Sequence, residues 1–203
     1  MKPFFSVIVP AHNSGEYIGK CLRSVRKQTF PKIGYELIVV CDNCRDDTEE
    51  MAKVYADKVI VTDFGMDGLA RNAGIDAAEG DWLLFLDDDD WWIHEYVLEE
   101  IYQVVNMFGY NLDLITFDFI WKGRGYYENS AEKVNIAVWS KAFRREFVGD
   151  TRFPAVPFTS DVNFMDEIVA KKARCYAMHK LMYYYNYMRE GSQTEEHARG
   201  GDA

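Results

Sequence analysis

Four apolar runs, each followed by a helix-spaced stretch, constrain the first 90 residues more than any other feature. "FSVIV" (5–9) is an uninterrupted apolar run stopped by Pro10, as expected of a strand buried on both faces. A helix is predicted from Asn13, with Glu16 in a capping-box position and Ile18, Cys21, Leu22 and Val25 along one side, ending near Thr29-Phe30-Pro31. "YELIVV" (35–40), "KVIVT" (58–62) and "WLLFL" (82–86) read as three more strands. Helices at 46–57 and 67–80 separate them, the second closed by Gly80. Strands and helices joined this briefly predict an α/β fold, a mostly parallel sheet covered by helices. Further on, the spacing predicts helices at 93–108, 140–149 and 159–173 and strands at 112–121 and 181–188. "GRGYYENSAE" reads as a turn-rich connection, and 191–203 as a polar tail.

The fourth strand runs straight into "DDDD" (87–90). Adjacent carboxylates repel and raise one another's pKa, so such a cluster needs a counter-charge or open water. In an open parallel sheet, ligands bind beyond the carboxyl ends of the strands. Here those ends carry "PAHN", "CDNCRDD" and "DDDD". On extended backbone, Asp87 and Asp89 would face one way and Asp88 and Asp90 the other. A hard divalent cation held by one or two of them, with water and phosphate completing its shell, would make the cluster tolerable. The plain alternative is a solvated acidic turn.

Composition removes several classes. Hydrophobic residues make up 48% of the 203, enough for a real core, so disorder is not expected. A net charge of −10 argues against nucleic-acid binding, which needs a basic face. No signal peptide and no membrane-spanning apolar stretch is visible, so a cytoplasmic address is expected, with peripheral contact at the membrane's inner face left open. Cysteines at 21, 41, 44 and 175 are read as reduced thiols. "CDNC" has the spacing of a redox or zinc motif, but no second Cys or His pair completes a zinc site. Two small residues at a strand end is the preferred reading.

Four ordered blocks then carry a resemblance. "FSVIVPAHNSGEYIGKCLRSVRKQTF", "ELIVVCDNCRDDT", "GLARNAGIDAAEGDWLLFLDDDDWW" and "WSKAFRREF…RFPAVPFTSDVNF…YYYNY" are similar to the family 2 glycosyltransferases, from about Phe4 to Thr194. The resemblance implies the GT-A nucleotide-sugar fold as a single domain over 1–194. Residues 1–90 would bind the nucleotide-sugar and 91–190 would form a smaller, mixed acceptor-side half. It implies inverting transfer of a sugar, commonly from a UDP-sugar, to a hydroxyl of a glycan or lipid-linked acceptor in surface polysaccharide synthesis. A divalent Mn²⁺ or Mg²⁺ usually assists.

By the same resemblance Pro10 and Ala11 would line the nucleobase slot, and Asp42 would accept a hydrogen bond from the base. Arg71 would contact base or phosphates. Asp87 and Asp88 would share ribose and metal contacts, and Asp89 would hold the metal together with Asp87. Asp161, in "FTSDVNF", would be the base that takes the acceptor proton. Trp91 and Trp92 are the candidates for acceptor contact. "YYYNY" is expected to pack as a strand, and Lys141, Arg144 and Arg145 to form a solvated basic face.

Departures from the family pattern are His12, Cys41, Asn43-Cys44 and Ser160, where Tyr, Asp, Gly-Ser and Glu are common. They keep a second reading open, a catalytically inert nucleotide-sugar-binding module. A nucleotidyltransferase is disfavoured, because "PAHNSGEYIGK" offers no Gly-rich basic phosphate loop. The "QxxRW" motif of processive synthases is missing, which points to single additions.

Overall fold

The computed structural model describes residues 2–157 and 159–187. The four expected strands form: β1 (Phe5–Ala11), β2 (Tyr35–Asp42), β3 (Lys58–Thr62) and β4 (Trp82–Phe85) lie parallel in the order β3-β2-β1-β4. The runs of β1, β2 and β4 are continuous because both their faces are covered, while β3 is the edge strand and leaves Val61 exposed. Val7, Val9, Leu37, Val39 and Leu84 enter one core, with α1 (Gly15–Arg26), α2 (Thr48–Tyr55) and α4 (Val97–Phe108). Ile8, Ile38, Val40, Leu83 and Phe85 enter the other, with α3 (Asp67–Ala77), the one-turn α5 (Arg145–Val148) and α6 (Ser160–Ala170).

Past β4 the sheet becomes mixed. β8 (Lys141–Arg144) runs antiparallel to β4, and β6 (Leu114–Trp121) antiparallel to β8. β9 (Cys175–Tyr185) is parallel to β6, and β5 (Trp91–Trp92) antiparallel to β9. β7 (Gly125–Tyr127) folds back onto β6. The expectation of a mostly parallel sheet therefore describes the first four strands only; the whole is a mixed sheet flanked by helices.

Three local expectations are corrected. The basic helix expected at 140–149 is β8 followed by a single turn, because the segment lies between β4 and β6 with Lys141, Ala142 and Phe143 all buried. The α1 capping box does not form: Ser14 is the N-cap, the cap makes no side-chain hydrogen bond, and Asn13 adopts a left-handed φ of 46°. The helix expected from residue 93 begins at Val97, since Trp91 and Trp92 first pair with Tyr184 and Tyr183. The tail at 191–203 lies outside the described residues.

Candidate active site

The carboxyl ends of β1, β2 and β4 meet at one edge, and His12 ties them together. Its backbone N–H donates to Asp88 Oδ2 at 3.0 Å, and its ring Nδ1 lies 2.7 Å from the Asp42 carbonyl. A carbonyl only accepts, so Nδ1 carries the proton, leaving Nε2 to accept from Asn13 Nδ2 at 3.0 Å. Pro10 and Ala11 are buried, so the groups facing solvent at this strand end are His12 and Asn13. Asp42 is buried too. Its Oδ1 accepts from Thr62 Oγ1 (2.9 Å) and the Phe64 N–H (2.6 Å), and its Oδ2 from the Met66 N–H (3.1 Å). A carboxylate has about four acceptor positions, so one remains for a ligand. Asp42 therefore also fixes the loop leading into α3.

The acid cluster is not extended backbone. Asp90 N–H donates to the Asp87 carbonyl at 3.1 Å and closes a turn at Asp88-Asp89, so the expected alternation of faces fails. Different elements reach different carboxylates instead. Asp87 Oδ1 accepts from Arg71 Nη2 at 2.8 Å, and Asp88 from His12. Asp90, fully buried, accepts from the Tyr183 hydroxyl at 2.6 Å and the Asn186 N–H at 2.7 Å. Burial, and then the charges of Asp89 and Asp87, push the Asp90 carboxyl well up. Asp89 is half-buried within the turn.

Arg71 was expected near phosphates and lies at the centre of the acids. It is 4% exposed, pairs with Asp67 one helical turn earlier and with Asp87, and lies 3.4 Å from Asp161 Oδ1. Its guanidinium also lies 5.6 Å from the Phe153 ring. Asp161 sits in the first turn of α6. Its Oδ1 is buried and accepts no hydrogen bond. Burial, opposed by Arg71 and reinforced by Asp87 and Asp67, raises its carboxyl to about 6. A carboxylate raised to that range can take up and release a proton near neutral pH.

α3 and α6 approach closely enough to make this arrangement. A Cβ on Gly68 would lie 2.8 Å from Ser160 Cβ and 3.0 Å from Phe153 Cβ. Ser160 is buried and its Oγ lies 3.4 Å from Asp67 Oδ1, so this packing suits a small residue where the family often has Glu. Asn72 and Phe153 exchange hydrogen bonds of 2.8 and 2.9 Å beside it. Gly68→Ala is expected to cost about 1–3 kcal/mol by overpacking. It should also lower turnover by moving Asp161 off Arg71; urea denaturation and a transfer assay on the same preparation check both.

The acceptor expectations are revised. Trp92 is buried, its backbone N–H bound to Ser24 Oγ at 3.1 Å, and so offers no sugar platform. The Trp91 ring stacks on Tyr184 at 4.2 Å and 11°, while Lys20 Nζ lies 2.9 Å from its centroid. Planes that close exclude an ammonium between them, so Lys20 covers the other face. The solvated basic face is corrected as well: Lys141 is fully buried, Arg144 pairs with Asp113 at 2.6 Å, and Arg145 donates to the Gly80 carbonyl at 2.6 Å. Lys141 Nζ donates to Asn135 Oδ1 and the Ala137 carbonyl, both at 2.6 Å, and burial lowers its pKa to about 7. Asp67, Tyr183 and Lys141 were missed as site residues. Only Asp67 had a readable signal, its i,i+4 spacing from Arg71.

Among the described residues no group of three or more His, Cys, Asp or Glu is arranged to hold a metal ion. The donors at the turn are carboxylate oxygens, and Asp87 and Asp89 are two of them. That set suits a hard divalent cation that takes one or two protein ligands and fills its remaining positions from phosphate and water.

Comparison with known proteins gives a consistent picture. The profile of Glycosyl transferase family 2 matches residues 6–166. Poly(ribitol-phosphate) beta-N-acetylglucosaminyltransferase TarS of Staphylococcus aureus is 41% identical over 93 residues, 43% of this chain and 16% of that protein. Glycosyltransferase GlyA of Streptococcus pneumoniae is 26% identical over 92% of this chain and 31% of its own length. The chain thus spans well under half the length of these relatives. The crystal structure of S. aureus TarS 1-349 in complex with UDP-GlcNAc superposes with a TM-score of 0.82 at 27% identity, covering 96% of this chain and 61% of that one. Mannosyltransferase PcManGT from Pyrobaculum calidifontis, in complex with GDP-Man and Mn²⁺, superposes at 0.76 with 16% identity over 94% and 59%, a likeness of fold alone. The fold is GT-A-like.

Proposed function

The chain belongs to glycosyl transferase family 2, and from that premise we propose that it is an inverting glycosyltransferase. It would move a sugar from a UDP-sugar to a hydroxyl of a glycan or lipid-linked acceptor in cell-surface polysaccharide synthesis. The observation that carries the reading is Asp161, a raised carboxyl paired with Arg71 beside the acid turn. TarS, solved with UDP and with UDP-GlcNAc, supports the uridine donor.

In this reading the nucleotide lies along the strand ends. Pro10-Ala11 back it, His12 faces it, Asp42 offers its fourth acceptor position to the base, and Asp87 and Asp88 meet the ribose. Arg71 orients Asp87 and Asp161 and contributes positive charge next to the diphosphate. Asp161 takes the proton of the acceptor hydroxyl as its oxygen attacks the anomeric carbon. The bond to the diphosphate breaks on the opposite face, which inverts the configuration. Asp89 and Asp87 would hold Mn²⁺ or Mg²⁺, which when bound stabilises negative charge on the leaving diphosphate.

We read residues 1–194 as one domain with nucleotide-binding and acceptor halves, working in the cytoplasm. Among the described residues no helix is long and apolar enough to cross a membrane. A thermal-shift series with nucleoside diphosphates tests the donor. UDP with Mn²⁺ or Mg²⁺ is expected to raise the melting temperature, by about 2.7 kcal/mol of stabilisation at 100 times Kd. Asp89→Ala should lose the metal-dependent part of that shift. Equal responses to all nucleotides, or none to UDP, would remove the uridine reading. A protein that binds UDP but never releases it from a UDP-sugar would be the inert module.

A further inference from the structure

Between β2 and α2 the chain carries two cysteines that the proposed transfer does not use. Cys41, the penultimate residue of β2, is fully buried in the core beneath α1 and α2, and Cys44 is half-buried against that same core. Asn43 between them takes a left-handed φ of 52°, a conformation Asn tolerates, and turns the chain back so that Cys44 returns to Ala11, the residue that pairs with Cys41 across β1 and β2. Cys44 Sγ also donates to the Ala11 carbonyl at 3.4 Å. Two further bonds stitch this turn to the loop after β1: His12 Nδ1 to the Asp42 carbonyl at 2.7 Å, and the Arg45 N–H to Asn13 Oδ1 at 2.8 Å.

One partly exposed sulfur beside one enclosed sulfur is the arrangement of an attacking thiol and a resolving thiol. Cys41 beside it lowers the Cys44 thiol, so Cys44 is the first of the two to give up its proton. Cys44 in turn, and then burial, push Cys41 up, which keeps its proton until the second step.

We infer that Cys41 and Cys44 form a modification site, a dithiol that a small-molecule disulfide closes into a disulfide bond, and that closure loosens the strand end beside the nucleotide slot. The Cys44 thiolate attacks one sulfur of the oxidant RSSR and releases RS⁻, leaving a mixed disulfide. Cys41 gives up its proton and attacks the Cys44 sulfur, releasing the second RS⁻. The protein loses two protons and two electrons, and the oxidant becomes two thiols. Once bonded to Cys41, Cys44 has no hydrogen for the Ala11 carbonyl. The backbone of Asp42 and Asn43 must shift to let the sulfurs meet, which disturbs His12 and the acceptor bonds of Asp42. Only this coupling to the slot rests on the transferase reading.

The test treats the intact protein with oxidised glutathione, maps the product by peptide mass, and measures UDP binding with Mn²⁺ by calorimetry. A loss of two hydrogens is expected on the peptide holding residues 41–44, reversed by dithiothreitol. UDP affinity should weaken by about tenfold, the scale of a lost hydrogen bond or two. In Cys44→Ser the oxidant should change neither quantity. A glutathione retained on Cys44 without closure would overturn the dithiol, and closure at unchanged UDP affinity would overturn the coupling. A reduced protein that binds no UDP would count against the transferase reading, while the mass change by itself would still decide the dithiol.

Discussion

Asp161→Asn is expected to cut turnover by about 10²- to 10⁴-fold, the range for loss of a positioned general base, with UDP binding nearly intact. Asn keeps the size of the side chain but cannot take a proton. Burial and the neighbouring acids hold the wild-type carboxyl at about 6, well above an ordinary aspartate. The base works only when deprotonated, so kcat/KM should be steady above that value and fall as pH drops through about 6. In the Asn variant that acid limb should vanish from whatever activity remains. Rate–pH profiles of both proteins check this. A variant with full turnover, or a wild-type limb near pH 4, would take the base role away from Asp161.

Arg71→Met should produce the larger loss of stability, about 3 kcal/mol, the lower end of the range for stripping a buried charge of its partner. The lower end is apt because Asp67, Asp87 and Asp161 are 30, 24 and 25% exposed at the side chain and recover some hydration. Against a usual total of about 5–15 kcal/mol, that is a large fraction. Arg71→Lys should not restore it, since one ammonium cannot reach three carboxylates as a planar guanidinium does. Adding Asp161→Asn to Arg71→Met should recover part of the loss, because one of the repelling charges is gone. Urea unfolding of the four proteins measures this. If Arg71→Met unfolds within about 1 kcal/mol of wild type, the guanidinium is not what makes the acid cluster tolerable.

Much of the first half was legible because β1, β2 and β4 are buried on both faces and the helices on one. Those two patterns survive in sequence as continuous apolar runs and 3.6-residue stripes. The second half was harder for a physical reason. Lys141 and Arg144 sit on a central strand with their charges answered by Asn135, Ala137 and Asp113, so a basic segment read as solvated helix. The acid motif itself was visible, but its partners come from far along the chain. Nothing near residue 90 announces Tyr183, and nothing in "FTSDVNF" announces that Gly68 makes room for Ser160. Asp42 was found at the right strand end, yet its bonds to Thr62, Phe64 and Met66 depend on a loop whose path has no sequence signature.

The bond from Tyr183 to Asp90 also sets a timetable. During translation the first four strands leave the ribosome while the residue that fastens the acid turn has yet to be added, 93 positions later. Pairings this remote form slowly, so the nascent first half gains its sheet well before its working edge. The acid turn can be fastened only after β9 has been made.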